Sequence, residues 1–143
     1  MAESPLREKL AHVLGSFDVR DREAFVQKLE PLYDDRVHFR DPMQEARGLP
    51  AFLDLNRRLG KGAKEVRFVV HDTSGDEALF YLHWTMTFVP KLGPSLDVEG
   101  VSRLTAERGR VTEHIDYWDL GELFFSAIPG GRKILHAIFK PFV

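Results

Sequence analysis

The hydrophobic period of this chain changes from helical to extended near Gly60, and that change limits the folds open to it. Before Gly60 apolar residues recur at helical spacing, with Leu6, Leu10, Val13, Leu14 and Phe17 on one stripe. Ser4 ahead of Pro5 reads as an N-cap with proline in the first turn. A second helix is predicted over Arg22–Leu29, with Ala24, Phe25 and Leu29 inward and Pro31 at its end. A short extended segment, Val37–Asp41, stops at Pro42, and a third helix runs from Leu49 to Leu59, closed by Gly60 and Gly62. After that the period becomes two. Lys64–His71 alternates Val66, Phe68 and Val70 with Glu65, Arg67 and Val69. Leu79–Phe88, Leu96–Thr105 and Val111–Trp118 are rich in the aromatic and β-branched residues that strands favour. Asp72–Asp76, Pro90–Pro94 and Glu107–Arg110 read as turns. Helices first and hairpins second predict one α+β domain over residues 1–143, a curved antiparallel sheet with about three N-terminal helices on its concave face. A helical tail follows, Gly121–Ala127 and Arg132–Phe139, broken by Pro129-Gly-Gly131.

Composition removes several classes of function. The chain is 43% hydrophobic, too apolar for a disordered segment. It has no cysteine, which excludes disulfides, cysteine-ligated zinc, iron–sulfur clusters and a thiol nucleophile. Twenty basic residues stand against 22 acidic ones, so no cationic surplus exists for nucleic acid. His38, His71 and His83 lack metal-site spacing, no cofactor motif is present, and the serines lie in no nucleophile elbow. Charges at the N-terminus replace the apolar run of a signal peptide, and the expected location is the cytoplasm. The basic, amphipathic tail has the composition of a membrane-surface helix. A lid or brace on its own domain is the plainer reading.

Three stretches carry a family resemblance: Tyr33-Asp-Asp-Arg-Val-His-Phe-Arg-Asp-Pro42, Leu96-Asp-Val-Glu-Gly-Val-Ser-Arg-Leu104 and Gly109-Arg-Val-Thr-Glu-His-Ile-Asp-Tyr-Trp-Asp-Leu120. With the element order, they resemble the nuclear transport factor 2-like superfamily, which includes ketosteroid isomerase, limonene-epoxide hydrolase and SnoaL-like cyclases. The resemblance implies a cone-shaped sheet around a cavity. It matches Asp41 to the proton-shuttling base of ketosteroid isomerases, whose oxyanion-hole tyrosine and second aspartate positions fall on Val13 and Gly100. Against the Asp–Arg–Asp set of limonene-epoxide hydrolase it matches Asp116 to the second carboxylate. The arginine and first aspartate positions fall near Tyr81 and His83. One member of that trio is kept, with a tyrosine and a histidine in place of the others.

The residues support a site by their own chemistry. Alternation puts Tyr81, His83 and Thr85 on one face of their strand, and His114, Asp116 and Trp118 on one face of the last strand. If those faces coincide, His83, His114, Asp41 and Asp116 converge, giving an acid and a base near neutral pH. The other face of Leu79–Phe88, with Phe80, Leu82, Trp84, Met86 and Phe88, is far more apolar, and burial alone would turn it inward. A homodimer through the outer sheet face would cover it instead, and that arrangement is the expectation taken forward. Asp41, His83, Asp116 and Tyr81 are then the candidate catalytic residues, with Phe39, His114, Trp118, Thr85 and Gly100 around the ligand. The expected activity is cofactor-free isomerisation, cyclisation or epoxide opening on a small apolar molecule. A carrier of a hydrophobic metabolite and a dimeric interaction module using Trp84, Met86 and Phe88 are the alternatives. Of the 11 phenylalanines, Phe17, Phe25 and Phe52 are expected in the core, Phe80 and Phe88 at an interface, and Phe39 on the cavity wall. Phe124, Phe125, Phe139 and Phe142 are expected to plug or cover the mouth.

Overall fold

The computed structural model describes residues 3–143. Two helices open the chain, α1 (Leu6–Gly15) and α2 (Arg22–Leu29). A single 3₁₀ turn then leads into β1 (Tyr33–Arg40) and β2 (Glu45–Arg47). Helix α3 (Leu49–Arg57) precedes four long strands, β3 (Ala63–Gly75), β4 (Leu79–Pro90), β5 (Leu96–Glu107) and β6 (Arg110–Trp118). The tail is α4 (Leu120–Ser126) and α5 (Gly131–Phe139), ending in a 3₁₀ turn. The six strands form one curved, unclosed sheet in the order β2-β1-β6-β5-β4-β3. All pairings are antiparallel except β1 with β6.

Helix α1 starts by a different device from the one its sequence suggests. Pro5, not Ser4, holds the cap position and supplies no side-chain acceptor. The Leu6 amide instead donates to the Glu77 carboxylate from the β3–β4 turn, at 3.2 and 3.4 Å. That turn is tighter than expected because β3 continues to Gly75. Gly75 has φ +108°, and a Cβ there would lie 2.3 Å from the Leu79 carbonyl oxygen, so only glycine fits. Asp119 caps α4 as its position predicts, accepting from the Glu122 amide at 2.8 Å.

The helices lie on one face of the sheet and the core forms between them. Leu10, Phe25, Val26 and Leu29 from the helices meet Phe80, Leu82, Leu104 and Val66 from the strands, all fully buried. Each such side chain contributes roughly 1.5–3 kcal/mol by leaving water. Arg22 donates to the carbonyls of Leu59 (2.8 Å) and Gly60 (3.0 Å), fixing α2 to the loop after α3.

This packing settles the orientation of β4, and it reverses the expectation. Phe80, Leu82 and Trp84 are buried against the helices, whereas Tyr81, His83 and Thr85 lie on the outer face. Burial of apolar surface decides the matter, since the inner face of β4 offers five large apolar side chains and the outer face mainly polar ones. Phe80 and Phe88 therefore are not outer-interface residues, and Trp84, Met86 and Phe88 cannot form an exposed interaction patch.

Candidate active site

A cavity of about 420 Å³ opens between the sheet and helices α2 and α3. Its wall is largely apolar and rich in aromatic rings, with Phe25, Phe39, Phe52, Phe68, Trp84 and Trp118 among the lining residues. At its rim stand Asp41, Met43, Gln44, Arg58 and Lys61, and Leu123 of α4 also lines it.

One polar chain crosses the apolar wall. It begins at Tyr33, the first residue of β1, whose ring is fully buried. Its hydroxyl lies 2.8 Å from His114 Nδ1. His114 Nε2 lies 2.7 Å from Asp116 Oδ1. Ser102 donates to the same oxygen at 2.5 Å, and Trp84 Nε1 donates to Ser102 Oγ at 2.9 Å. Among the described residues the Tyr33 hydroxyl has no other acceptor, so its proton points at Nδ1. That assigns His114 the Nε2–H tautomer, donating to Asp116. Burial, and then the nearby Asp116 charge, push the Tyr33 phenol well above its ordinary pKa, which keeps it a donor.

Local structure explains why these residues meet. Ser102 and Asp116 are direct cross-strand partners in the β5–β6 pairing. A shift of register between Thr105 and Ala106 lets Val111 face the core and still brings His114, Asp116 and Trp118 to the inner face. Asp116 uses Oδ1 for both donors, and Oδ2 takes no hydrogen bond among the described residues. With its side chain 18% exposed and on the cavity wall, Asp116 presents a carboxylate to whatever enters.

Asn56, on the inward side of α3, is a second polar group in the wall. Its Nδ2 donates to the Phe52 carbonyl at 2.8 Å, which leaves one amide hydrogen for another acceptor.

Of the residues singled out from sequence, Phe39, His114, Asp116 and Trp118 line the cavity together. Asp41 lines it too, but at the rim, with its carboxylate occupied in its own turn. It accepts from Met43 N (2.7 Å), Gln44 N (2.8 Å) and Gln44 Nε2 (3.2 Å). His83, Tyr81 and Thr85 are excluded by the orientation of β4. His83 bridges Asp72 (3.0 Å) and Glu99 (2.6 Å) on the outer face, and these two acids raise its pKa. Thr85 is bonded to His71 at 2.7 Å. Gly100 does not face a ligand either. It lies beside Trp84, and a Cβ there would meet the indole at 2.4 Å, so the missing side chain makes room for tryptophan. Phe124, Phe139 and Phe142 do not plug the mouth, being 60%, 53% and 83% exposed, and Phe125 is half-buried but does not line the cavity.

Tyr33, Ser102, Trp84 and Asn56 are the residues of this site that sequence reasoning missed. Tyr33 and Ser102 did lie inside the stretches that carried the family resemblance, which was the one available signal. No helix among the described residues is long and apolar enough to cross a membrane.

Residues 13–114 match a family model described as a SnoaL-like domain. No curated protein sequence matches the chain significantly. Similar solved structures include a provisionally assigned SnoaL-like polyketide cyclase from Jannaschia sp. CCS1. It is 18% identical over 90% of this chain and 99% of that one, with a TM-score of 0.71. Another is a hypothetical protein with a ketosteroid isomerase-like fold from Catenulispora acidiphila, in complex with trimethylamine. It is 10% identical over 88% and 93% of the two chains, TM-score 0.70. An LEH-like epoxide hydrolase from M. tuberculosis is 17% identical over 94% and 93%, TM-score 0.65. At these identities the likeness establishes the fold.

Proposed function

The chain belongs to the SnoaL-like domain family, and from that premise we propose that it is a cofactor-free acid–base enzyme of the isomerase, cyclase or epoxide-opening type. Its substrate is a small to medium apolar molecule held in the aromatic cavity. The observation that carries this reading is Asp116, a carboxylate on a mainly apolar wall, bound through one oxygen and open through the other.

In the proton-transfer form of the reaction, Asp116 Oδ2 takes a proton from a carbon next to a carbonyl. The C–H electron pair moves to the carbonyl oxygen, which gains negative charge. Asp116, now a neutral acid, returns the proton to a different carbon or to the product of ring closure. Ser102 and His114 hold Oδ1 throughout, so the carboxylate does not rotate between the two transfers. Tyr33 and Trp84 act one step further out, each fixing one of those donors. The spare amide hydrogen of Asn56 is the donor we assign to the developing oxyanion. Such a donor typically supplies a factor of 10²–10³ in rate. Phe39 and Trp118 shape the apolar part of the site, and Asp41 contacts the outer end of the ligand at the rim. Two copies pair through the outer sheet face, where Val69, Val101 and Tyr117 leave apolar surface in water.

The test is turnover by wild type and by Asp116→Asn across three substrate classes: β,γ-unsaturated ketones, apolar epoxides and linear polyketide esters. Turnover of one class that Asp116→Asn reduces by about 10²–10⁴ supports the enzyme. Tight binding with no turnover of any class makes the protein a carrier and overturns the proposal.

A further inference from the structure

We propose that α5 and the 3₁₀ turn after it form a docking element for an anionic lipid surface. The charge distribution carries the argument. Residues 123–143 contain three cations, Arg132, Lys133 and Lys140, and no acidic side chain. The 122 residues before them hold the other 17 cations and all 22 acids. An acidic body therefore ends in a cationic segment, and the two have opposite relations to a negatively charged surface.

The same segment exposes apolar surface on its own face. Ile134, Ile138 and Phe142 recur every fourth residue and are 47%, 51% and 83% exposed. Phe139 lies alongside them, also half out of the protein. Lys133, His136 and Lys140 follow the complementary spacing, which places them on the opposite side of the helix. Arg132 is paired with Glu122 of α4, whereas Lys133 and Lys140 have no ion pair among the described residues.

Packing shows that this face is not shared with the body. Gly131 sits so tightly against the Phe125 backbone that a Cβ would overlap it, which anchors the start of α5 to the end of α4. Beyond Gly131, only Leu135 is even half-buried. A second copy of the chain would offer this face a largely acidic body. The continuous apolar stripe, however, calls for an apolar phase directly beneath a layer of negative charge. A bilayer with anionic headgroups supplies both, with Ile134, Ile138 and Phe142 in the acyl boundary and the lysines among the phosphates. Repulsion of the body leaves one orientation, tail down. Leu123 of α4, the helix that α5 packs against, lines the cavity, which links the tail to the site through one helix. If the cavity takes an apolar molecule, as proposed above, the bilayer is its reservoir, but docking itself does not depend on that reading.

The experiment is co-sedimentation of the full chain with vesicles of phosphatidylcholine doped with phosphatidylglycerol, and with pure phosphatidylcholine. Binding is expected on the anionic vesicles, weakening with added salt. Lys133→Gln and Lys140→Gln should each lower partitioning about fivefold, and Ile138→Ser with Phe142→Ser should abolish it. These side chains are exposed, so the circular dichroism spectrum and Tm of the variants should match wild type. Equal partitioning on neutral and anionic vesicles, or no binding to either, overturns the proposal. So does a self-association, seen by light scattering, that Ile138→Ser with Phe142→Ser removes, because the face then belongs to a second copy.

Discussion

Replacing Tyr33 with phenylalanine removes one hydroxyl from the buried chain and little else. The ring volume is kept, so no cavity is created. His114, only 5% exposed, then loses the donor to its Nδ1. Shifting the ring proton to Nδ1 does not help, because phenylalanine cannot accept it and the bond to Asp116 would lose its hydrogen. One buried polar group is left unsatisfied in either tautomer, at a cost of about 1–3 kcal/mol. For a domain of this length that corresponds to a fall in Tm of roughly 2–12 °C, read by circular dichroism near neutral pH. A second signature appears in alkali. The folded Tyr33 phenol titrates well above its unfolded value, so above about pH 10 the unfolded chain releases a proton that the folded chain retains. Stability present below that pH is lost as pH rises, by about 1.4 kcal/mol per pH unit for this group. Tyr33→Phe should flatten that part of the stability curve. An unchanged Tm together with an unchanged alkaline slope would refute the network as drawn.

Gly100→Ala should destabilise the protein despite removing a glycine from a strand. The new methyl would lie 2.4 and 2.5 Å from Trp84 ring carbons, and Trp84 is held by its bond to Ser102. Overpacking of about 1–3 kcal/mol exceeds the roughly 0.5–1 kcal/mol gained in backbone entropy, and denaturant titration should show the difference. His83 should titrate above the usual histidine value in an NMR pH series, and Asp72→Asn or Glu99→Gln should bring it down. Its contribution to stability is then full below the unfolded pKa and lost as pH rises through the folded one. Light scattering should report a dimer, reduced to monomer by Val101→Glu with Tyr117→Glu, and a wild-type monomer would remove pairing from the account.

The fold was readable because helices and strands announce themselves locally. Arg22–Leu29 is a helix over that span, and His114, Asp116 and Trp118 share a face as period two requires. The orientation of β4 differs because its apolar face was assigned to a homodimer interface, whereas the helices of the same chain cover it. Tyr81 and His83 looked like the reactive pair, but a strand presents alternate residues to opposite faces, so Phe80, Leu82 and Trp84 could be buried only by turning those two outward. The site was less legible because its contacts are long-range. Tyr33 and His114 are 81 residues apart, and Ser102 reaches Asp116 only through strand register. Neither separation leaves a local pattern. Gly100 was misread for a related reason, since what fills its missing side chain is Trp84 on the neighbouring strand.

Deuterium incorporation into a C–H-acidic apolar ketone, followed by mass spectrometry in heavy water, compares the inner and outer candidates on one substrate. Wild type, Asp116→Asn and His83→Ala are the three proteins to measure. Catalysed exchange is expected from wild type and His83→Ala at equal rates, with a loss of about 10²–10⁴ in Asp116→Asn. Exchange that survives Asp116→Asn, or that disappears with His83→Ala, would contradict that expectation.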